Sequence, residues 1–383
     1  MIIAIDGYEA NVEKRVGIGR YAYQLLCSMY ALLNDKQFEH ITVYVYIPDQ
    51  PQPDMPKEHA RWQYKVRGPK RLWTFIGLPF ALLSEKPKVN VVFSPTHYIP
   101  RFITVPRVMS IMDLSYLYFP ELFRPKDLHQ LTEWTKYSVE HASCVLTISE
   151  HSKNDIIKRY RKDAASIFVT YPGLSMQQTL SDSQKSIDIY AKYAIPKHFI
   201  LSVGTIQPRK NYERLIEAFS MFLAKNKQKF GDIELVIIGK KGWLYESILE
   251  APKKFGVESS VKFLDFVPDD ELSIFYFSAM CFALPSLYEG FGLPVLEAMA
   301  NSCPVVVSNV SSLPEIAGKA GVYVDPQNTQ SIADGLLTAV RERNLMQGKS
   351  RIRNGLFQLQ QFTWEKAAKQ TIHILEKVGR ETI

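Results

Sequence analysis

Short runs rich in Val, Ile and Phe recur along this chain, each followed by a longer segment with helical apolar spacing, and no other feature narrows its possible folds as much. The first half offers IIAID, ITVYVYIP, VNVVFSP, RVMSIMD, SCVLTIS and SIFVTYPG; the second offers FILSVG, ELVIIG, VKFLDF, CFALPS, CPVVVSN and GVYVD. Runs that are apolar on both faces belong in parallel sheets covered by helices, so the expected class is α/β. A length of 383 residues exceeds what one core organises. The two sets of runs are separated by Ser181 to Lys197, a polar stretch without a strong apolar period, which reads as a linker with one helical turn. The expected division is a Rossmann-like domain over 1–185, a second over 186–365, and a final helix over 366–383 free to pack back on the first domain. Two such open sheets facing each other would leave a central cleft lined by the carboxyl ends of their strands, where ligands bind.

Composition removes several classes of function. No stretch reaches the ~18 apolar residues of a membrane span, and the start, MIIAIDGYEA, reads as a first strand rather than a signal peptide. Cys27, Cys144, Cys281 and Cys303 lie far apart without metal-like spacing, as expected for buried free thiols in a reducing cytoplasm. The net charge of +7 favours phosphate-rich partners: nucleotides, an anionic lipid surface or nucleic acid. No nucleic-acid-binding motif accompanies it, so no such partner is expected.

The most informative stretch is CFALPSLYEGFGLPVLEAMA, Cys281 to Ala300. A buried strand runs into a glycine-bearing loop and then a helix near Leu293, with Pro294 in its first turn. Gly290 and Gly292 allow close approach of a ligand, and the helix start presents N–H groups to a phosphate or a sugar hydroxyl. Glu289 on the loop and Glu297 in the helix bracket this element. Taken singly, each has an ordinary explanation, since helix dipoles favour acids and turns favour glycines. The second cluster, SVGTIQPRKNYERLIEAF, presents Arg209 and Lys210 after a strand, a fork and a point charge suited to a diphosphate.

These segments resemble the family 4 retaining glycosyltransferases, which have the GT-B fold. SLYEGFGLPVLEAMA carries that family's E-x7-E motif, and GIGRYAYQLL, IMDLSYLYFPELF, VLTISEHSKNDI, YPGL, ELVIIGKKGW and NVSSLPEIAGKAGVYVDP extend the likeness along most of the chain. Within the family the chain looks most like bacterial O-antigen mannosyltransferases. The resemblance implies an acceptor-binding first domain and a second that binds a nucleotide-sugar donor. It implies that Glu297 holds the ribose, and that Glu289 faces the donor sugar beside the N–H groups of Gly290, Phe291, Gly292 and Leu293. It gives Arg209 and Lys210 the diphosphate, with the loop from Gly17 to Gly19 closing on it. No cofactor or metal is expected, since a cation pair can stabilise the leaving group and no Asp-x-Asp motif is present. The acceptor would be a glycan or lipid-linked glycan of a bacterial surface polysaccharide, reached from the cytoplasm.

One departure stands out. Where the family has His-Asp, this chain has Met112-Asp113, and a thioether can neither donate a strong hydrogen bond nor carry a proton. Drift at a tolerant site and a donor with an apolar C6, such as a 6-deoxysugar, are both open readings; His97 could supply an imidazole instead. Two other functions compete. Gly17, Gly19 and Ala22 fit a dehydrogenase fingerprint, but they follow the first strand too distantly for its tight turn. A non-catalytic sugar-nucleotide-binding subunit would keep the binding residues without transfer. The segment Arg61 to Leu83 interleaves Lys65, Arg67, Lys70 and Arg71 with Trp62, Trp73 and Phe75. That mixture suits peripheral contact with an anionic membrane, and equally a core-packed helix behind a basic loop.

Overall fold

The computed structural model describes residues 1–15, 17–174, 183–230 and 232–380, without the side chains of 183–187 and 227. It divides into two compact units, Met1–Gly173 with Phe362–Ile383, and Leu174–Gln361. The first unit holds β1 (Ile2–Asp6), β2 (Thr42–Ile47), β3 (Trp62–Val66), β4 (Val91–Ser94), β5 (Arg107–Ile111), β6 (Cys144–Thr147) and β7 (Ile167–Val169). They form one parallel sheet in the order β3-β2-β1-β4-β5-β6-β7. The second holds β8 (Phe199–Val203), β9 (Glu234–Ile238), β10 (Val261–Leu264), β11 (Cys281–Leu284), β12 (Val305–Ser308) and β13 (Gly321–Val324), in the order β10-β9-β8-β11-β12-β13. Both are doubly wound Rossmann-like sheets. The strand order reverses between β1 and β4 in one unit and between β8 and β11 in the other, and loops leaving these neighbours diverge to open a crevice.

All the apolar runs read from the sequence are strands, and their central members are buried on both faces. β3 is a further strand inside the segment read as basic and aromatic. It pairs with β2 from Val43↔Trp62 to Ile47↔Val66. Its polar residues are tolerated because it is an edge strand, partly exposed beyond the buried Trp62.

The expected linker needs correction. Residues 181 and 182 lie outside the described residues, but Ser183–Tyr193 is an 11-residue helix rather than a single turn. Its stabilisation comes from tertiary contacts that sequence periodicity does not show: Ile189 is buried, the Tyr193 ring meets Phe275 edge-on, and the Tyr190 hydroxyl bonds Ser278. The cysteines also differ from expectation. All four are free, but only Cys281 and Cys303 are buried, whereas Cys27 and Cys144 are half-buried.

The last helix, Trp364–Arg380, belongs to the first unit, where Trp364 packs against Tyr21. The glycine of YPGL has its reason here: a Cβ on Gly173 would stand 2.2 Å from the Trp364 backbone nitrogen. Among the described residues, no helix is long and apolar enough to cross a membrane.

Asp6, at the carboxyl end of β1, is buried and accepts hydrogen bonds from the Trp73 indole N–H at 2.8 Å and the Tyr8 backbone N–H at 3.2 Å. Burial raises its pKa to about 6 from 3.8, with the two hydrogen bonds opposing. A folded-state pKa above the unfolded one means that stability rises as pH falls through that window, because the fold takes up the proton first. Relative to Asp6→Asn, the native chain should gain about 2.4 kcal/mol between pH 7 and pH 4, from roughly two pKa units. Urea titrations across that range measure the gain, and parallel pH curves for the two proteins would contradict it.

Candidate active site

The strongest chemical cluster among the described residues lies at the switch point of the second sheet. The loop after β8 carries Pro208–Lys210, a single helical turn whose last two residues are Arg209 and Lys210. Asn211 follows in the left-handed conformation (φ 62), which Asn tolerates better than most residues. Its amide donates to the Pro285 carbonyl at 2.9 Å and the Pro326 carbonyl at 2.7 Å, fastening the β8 loop to the loop after β11. Sequence reasoning passed over Asn211, although an Asn between a basic turn and a helix is a recognisable signal.

From the neighbouring loop comes Glu289. Lys210 Nζ donates to its Oε1 at 2.6 Å, and Arg209 Nη1 donates to its Oε2 at 3.1 Å and to the Tyr288 carbonyl at 2.6 Å. The Ser286 hydroxyl adds a bond to Oε1 at 2.6 Å. All three charged side chains are largely buried, at 7% exposure for Glu289, 10% for Lys210 and 16% for Arg209. Burial by itself would push the carboxyl pKa up, but the charges of Lys210 and Arg209 and the hydrogen bonds from Lys210 and Ser286 outweigh it, so Glu289 is held down to about 2. A group that stays ionised throughout the physiological range cannot shuttle protons there. Glu289 holds the two cations in place, and the cluster of two cations and one anion keeps a net positive charge.

Serines hold the acidic loop in place. Ser311 Oγ accepts the Glu289 backbone N–H at 3.0 Å, and Ser312 Oγ donates to the carbonyls of Glu289 and Phe291 at 2.9 Å each. Their signal, paired serines after a strand, is too common to single out. Gly292 closes the loop at φ 108, a conformation open to glycine, and caps the helix Leu293–Ala300 with Pro294 in its first turn. Gly290, Phe291 and Gly292 are buried and Leu293 partly so. Glu297 stands further along that helix, partly exposed, and its Oε2 accepts the hydroxyl of the fully buried Tyr276 at 2.8 Å.

In the first unit the predicted residues are placed differently. Gly17 is an exposed turn residue at φ 49, while Gly19 lies inside the helix Ile18–Leu32, where a Cβ would meet the Glu9 carbonyl at 2.9 Å. The glycine loop therefore ends at Gly17. Met112 follows β5; its backbone N–H donates to His97 Nε2 at 3.3 Å, and its carbonyl accepts the Ser152 hydroxyl at 3.1 Å. Accepting at Nε2 fixes His97 as the neutral Nδ1–H tautomer, in keeping with a pKa lowered by burial. Asp113 Oδ1 accepts the Ser115 N–H at 2.8 Å, two residues on, just ahead of the short helix Ser115–Tyr118. Among the described residues, no group of three His, Cys, Asp or Glu side chains is placed to hold a metal ion.

Comparison with known proteins agrees with this architecture. The family profile "Glycosyl transferases group 1" matches residues 187–354. O-antigen chain mannosyltransferase B of Escherichia coli is 31% identical over 288 residues, covering 75% of this chain and 74% of that protein. Among solved structures, sucrose-phosphate synthase of Thermosynechococcus elongatus superposes with a TM-score of 0.72 at 17% identity over 98% of both chains. Anabaena HepE, solved in complex with UDP and glucose, does so at 0.68 and 17%, covering 98% of this chain and 99% of its own.

The ion cluster makes a stability prediction. Because the folded pKa of Glu289 lies below its usual 4.5, its contribution is present above that value and fades as pH falls toward 2. Glu289→Gln leaves two cations without their anion and should cost about 3 to 5 kcal/mol at pH 7, the scale for a broken buried pair. Denaturant midpoints should show the gap narrowing between pH 4.5 and the acid limit. A gap independent of pH would mean that the pair does not stabilise the fold.

Proposed function

This chain belongs to the group 1 glycosyl transferases and is a sugar-transferring enzyme of the GT-B fold; from that premise we propose that it moves mannose or another hexose from a nucleoside-diphosphate sugar to a glycan or lipid-linked acceptor, with retention of configuration and without a metal ion. The observation that carries this reading is the buried Arg209–Lys210–Glu289 cluster at the switch point of the second sheet. A leaving nucleoside diphosphate gains negative charge as the glycosidic bond breaks, and a preorganised, desolvated pair of cations stabilises that charge without reorganisation. Glu289 holds the two cations in register for the diphosphate, while the N–H groups at the start of the Leu293–Ala300 helix lie on the same loop. Glu297, oriented by Tyr276, takes the ribose hydroxyls. The acceptor hydroxyl loses its proton to the leaving phosphate, a role that an ionised Glu289 does not compete for. Mannose is favoured by the name of the E. coli relative. Met112 leaves an apolar side chain where the family has imidazole, which suits a 6-deoxysugar as the second donor to try.

The decisive experiment incubates the purified chain with GDP-, UDP- and dTDP-sugars and follows nucleoside diphosphate release. Turnover should survive excess EDTA, and Arg209→Ala and Lys210→Ala should each lower kcat about 100- to 1,000-fold, as removal of other preorganised charge donors does. Activity abolished by chelation and restored by manganese would overturn the metal-free mechanism.

The ribose assignment has its own readout. Glu297→Ala should weaken nucleoside diphosphate binding by roughly 1.5 to 3 kcal/mol, and Tyr276→Phe by about 1 kcal/mol, since it removes one neutral donor from the carboxylate. Calorimetric affinities unchanged in both variants would remove Glu297 from the site.

A further inference from the structure

The segment from Leu72 to Ser84 in the first unit folds as a π-helical turn, Trp73–Gly77, running into the helix Leu78–Ser84. One face is core: Trp73, Leu78, Ala81 and Leu82 pack with Tyr44, Tyr46, Val92 and Ile103. The opposite face is apolar too. Leu72, Ile76, Phe80 and Leu83 are exposed by 50%, 38%, 69% and 52%. Ile76, Phe80 and Leu83, spaced four and three apart along the π-turn and helix, form one stripe, with Leu72 just ahead of it in the left-handed conformation, where a water-facing helix would carry polar side chains. The stripe rests on a fixed base, because Trp73 is tied to the buried Asp6 by its indole N–H at 2.8 Å.

The segment that carries this stripe is strongly basic. Between Arg61 and Arg101 there are eight Lys and Arg residues and a single acid, Glu85. That acid is buried, pairs with Lys65 at 3.2 Å and accepts the Tyr46 hydroxyl, so it does not face solvent. Arg67, Lys70 and Arg71 are exposed at the leading end; Lys70 is paired with the exposed Asp49. Lys86 and Lys88 are exposed at the trailing end, where Lys88 Nζ donates to the Leu83 carbonyl at 2.5 Å. Arg101 lies over the rings of Phe75 and Tyr137.

We infer that this face seats the enzyme on an anionic bilayer, with Leu72, Ile76, Phe80 and Leu83 entering the headgroup–acyl boundary and the flanking cations meeting lipid phosphates. Charge complementarity selects this occupant over a second copy of the chain. A two-fold interface brings the same patch from both partners together, so each basic flank would face another of like sign. The inference goes beyond the sugar-transfer reading and is tested without donor or acceptor.

Flotation of the purified chain with vesicles is the test. Vesicles of phosphatidylcholine containing about one third phosphatidylglycerol should carry the protein upward, whereas pure phosphatidylcholine should bind at least about tenfold less, and salt should weaken the anionic binding. The double change Phe80→Glu with Leu83→Glu should lower partitioning at least about tenfold, since it removes two membrane-entering groups and adds two repelled charges. Arg71→Gln with Lys88→Gln should lower it by about fivefold for each charge removed. All four positions are exposed, and an unchanged melting temperature together with unchanged nucleoside diphosphate affinity would show that both variants fold. Failure to float with anionic vesicles, equal binding to both vesicle types, or insensitivity to both double variants would overturn the inference. So would a concentration-dependent dimer in sedimentation that Phe80→Glu dissolves, because the stripe would then be a protein interface.

Discussion

A carboxylate taken out of water costs several kcal/mol unless it is protonated or brought in with compensating charge, and at Glu289 two cations supply that charge. Lys210 and Arg209 reach it at 2.6 and 3.1 Å from a loop some eighty residues earlier in the chain. Only the sheet makes such a contact possible. β8 and β11 are neighbours in an order that sends their connections to opposite sides, so the loops leaving their carboxyl ends start side by side and then part. Asn211 fastens one loop to the other, and Ser311 and Ser312 hold the acidic loop from behind. These polar groups are committed to keeping three charges in fixed relation, which is what preorganisation means in atomic terms.

The same arrangement limits the chemistry available. With its pKa near 2, Glu289 is ionised at neutral pH and poorly suited to general acid or base work, so under the proposed function the loop would contribute field rather than proton transfer. Two buried cations around one carboxylate, with a helix start on the same loop, are the arrangement on which the proposed role of stabilising a developing anion rests. Glu297 works on different terms. It is partly exposed and receives a hydroxyl from Tyr276, so it keeps capacity to accept from a ligand's own hydroxyls.

The strands were legible in the sequence because parallel sheets demand runs that are apolar on both faces, a pattern few other structures produce. What escaped was set by tertiary contact. β3 is polar enough to resemble a loop and exists because an edge needs only one paired side. The helix Ser183–Tyr193 lacks a clean amphipathic period and draws on contacts with Phe275 and Ser278, far along the chain. Within the candidate site, Glu289, Arg209 and Lys210 stood out in the sequence through their combination after two strand ends and through the family resemblance, since each alone has an ordinary explanation. Their mutual pairing was not readable: Arg209 and Lys210 looked like ligands for a phosphate, with no sign that Glu289 already joins them. Asn211, Ser286, Ser311 and Ser312 bear as much of the geometry but belong to residue types found in every loop.

Comparison of Glu289 with Asp6 isolates what the cations do. Both are buried carboxyls at switch points of sheets with the same core strand order, and burial pushes both pKa values upward. The groups acting on Asp6 are an indole N–H, a backbone N–H and the neighbouring Glu9 carboxylate, and the balance leaves it raised to about 6. Glu289 receives comparable hydrogen bonds, and ends near 2 because Lys210 and Arg209 stand within ion-pair distance. The opposite shifts follow from neighbours rather than from depth of burial. A chain that uses one topology twice has thus made two different environments from it, one in which a carboxyl gains a proton easily and holds an indole, and one in which a carboxylate keeps its charge at neutral pH and holds two cations in place.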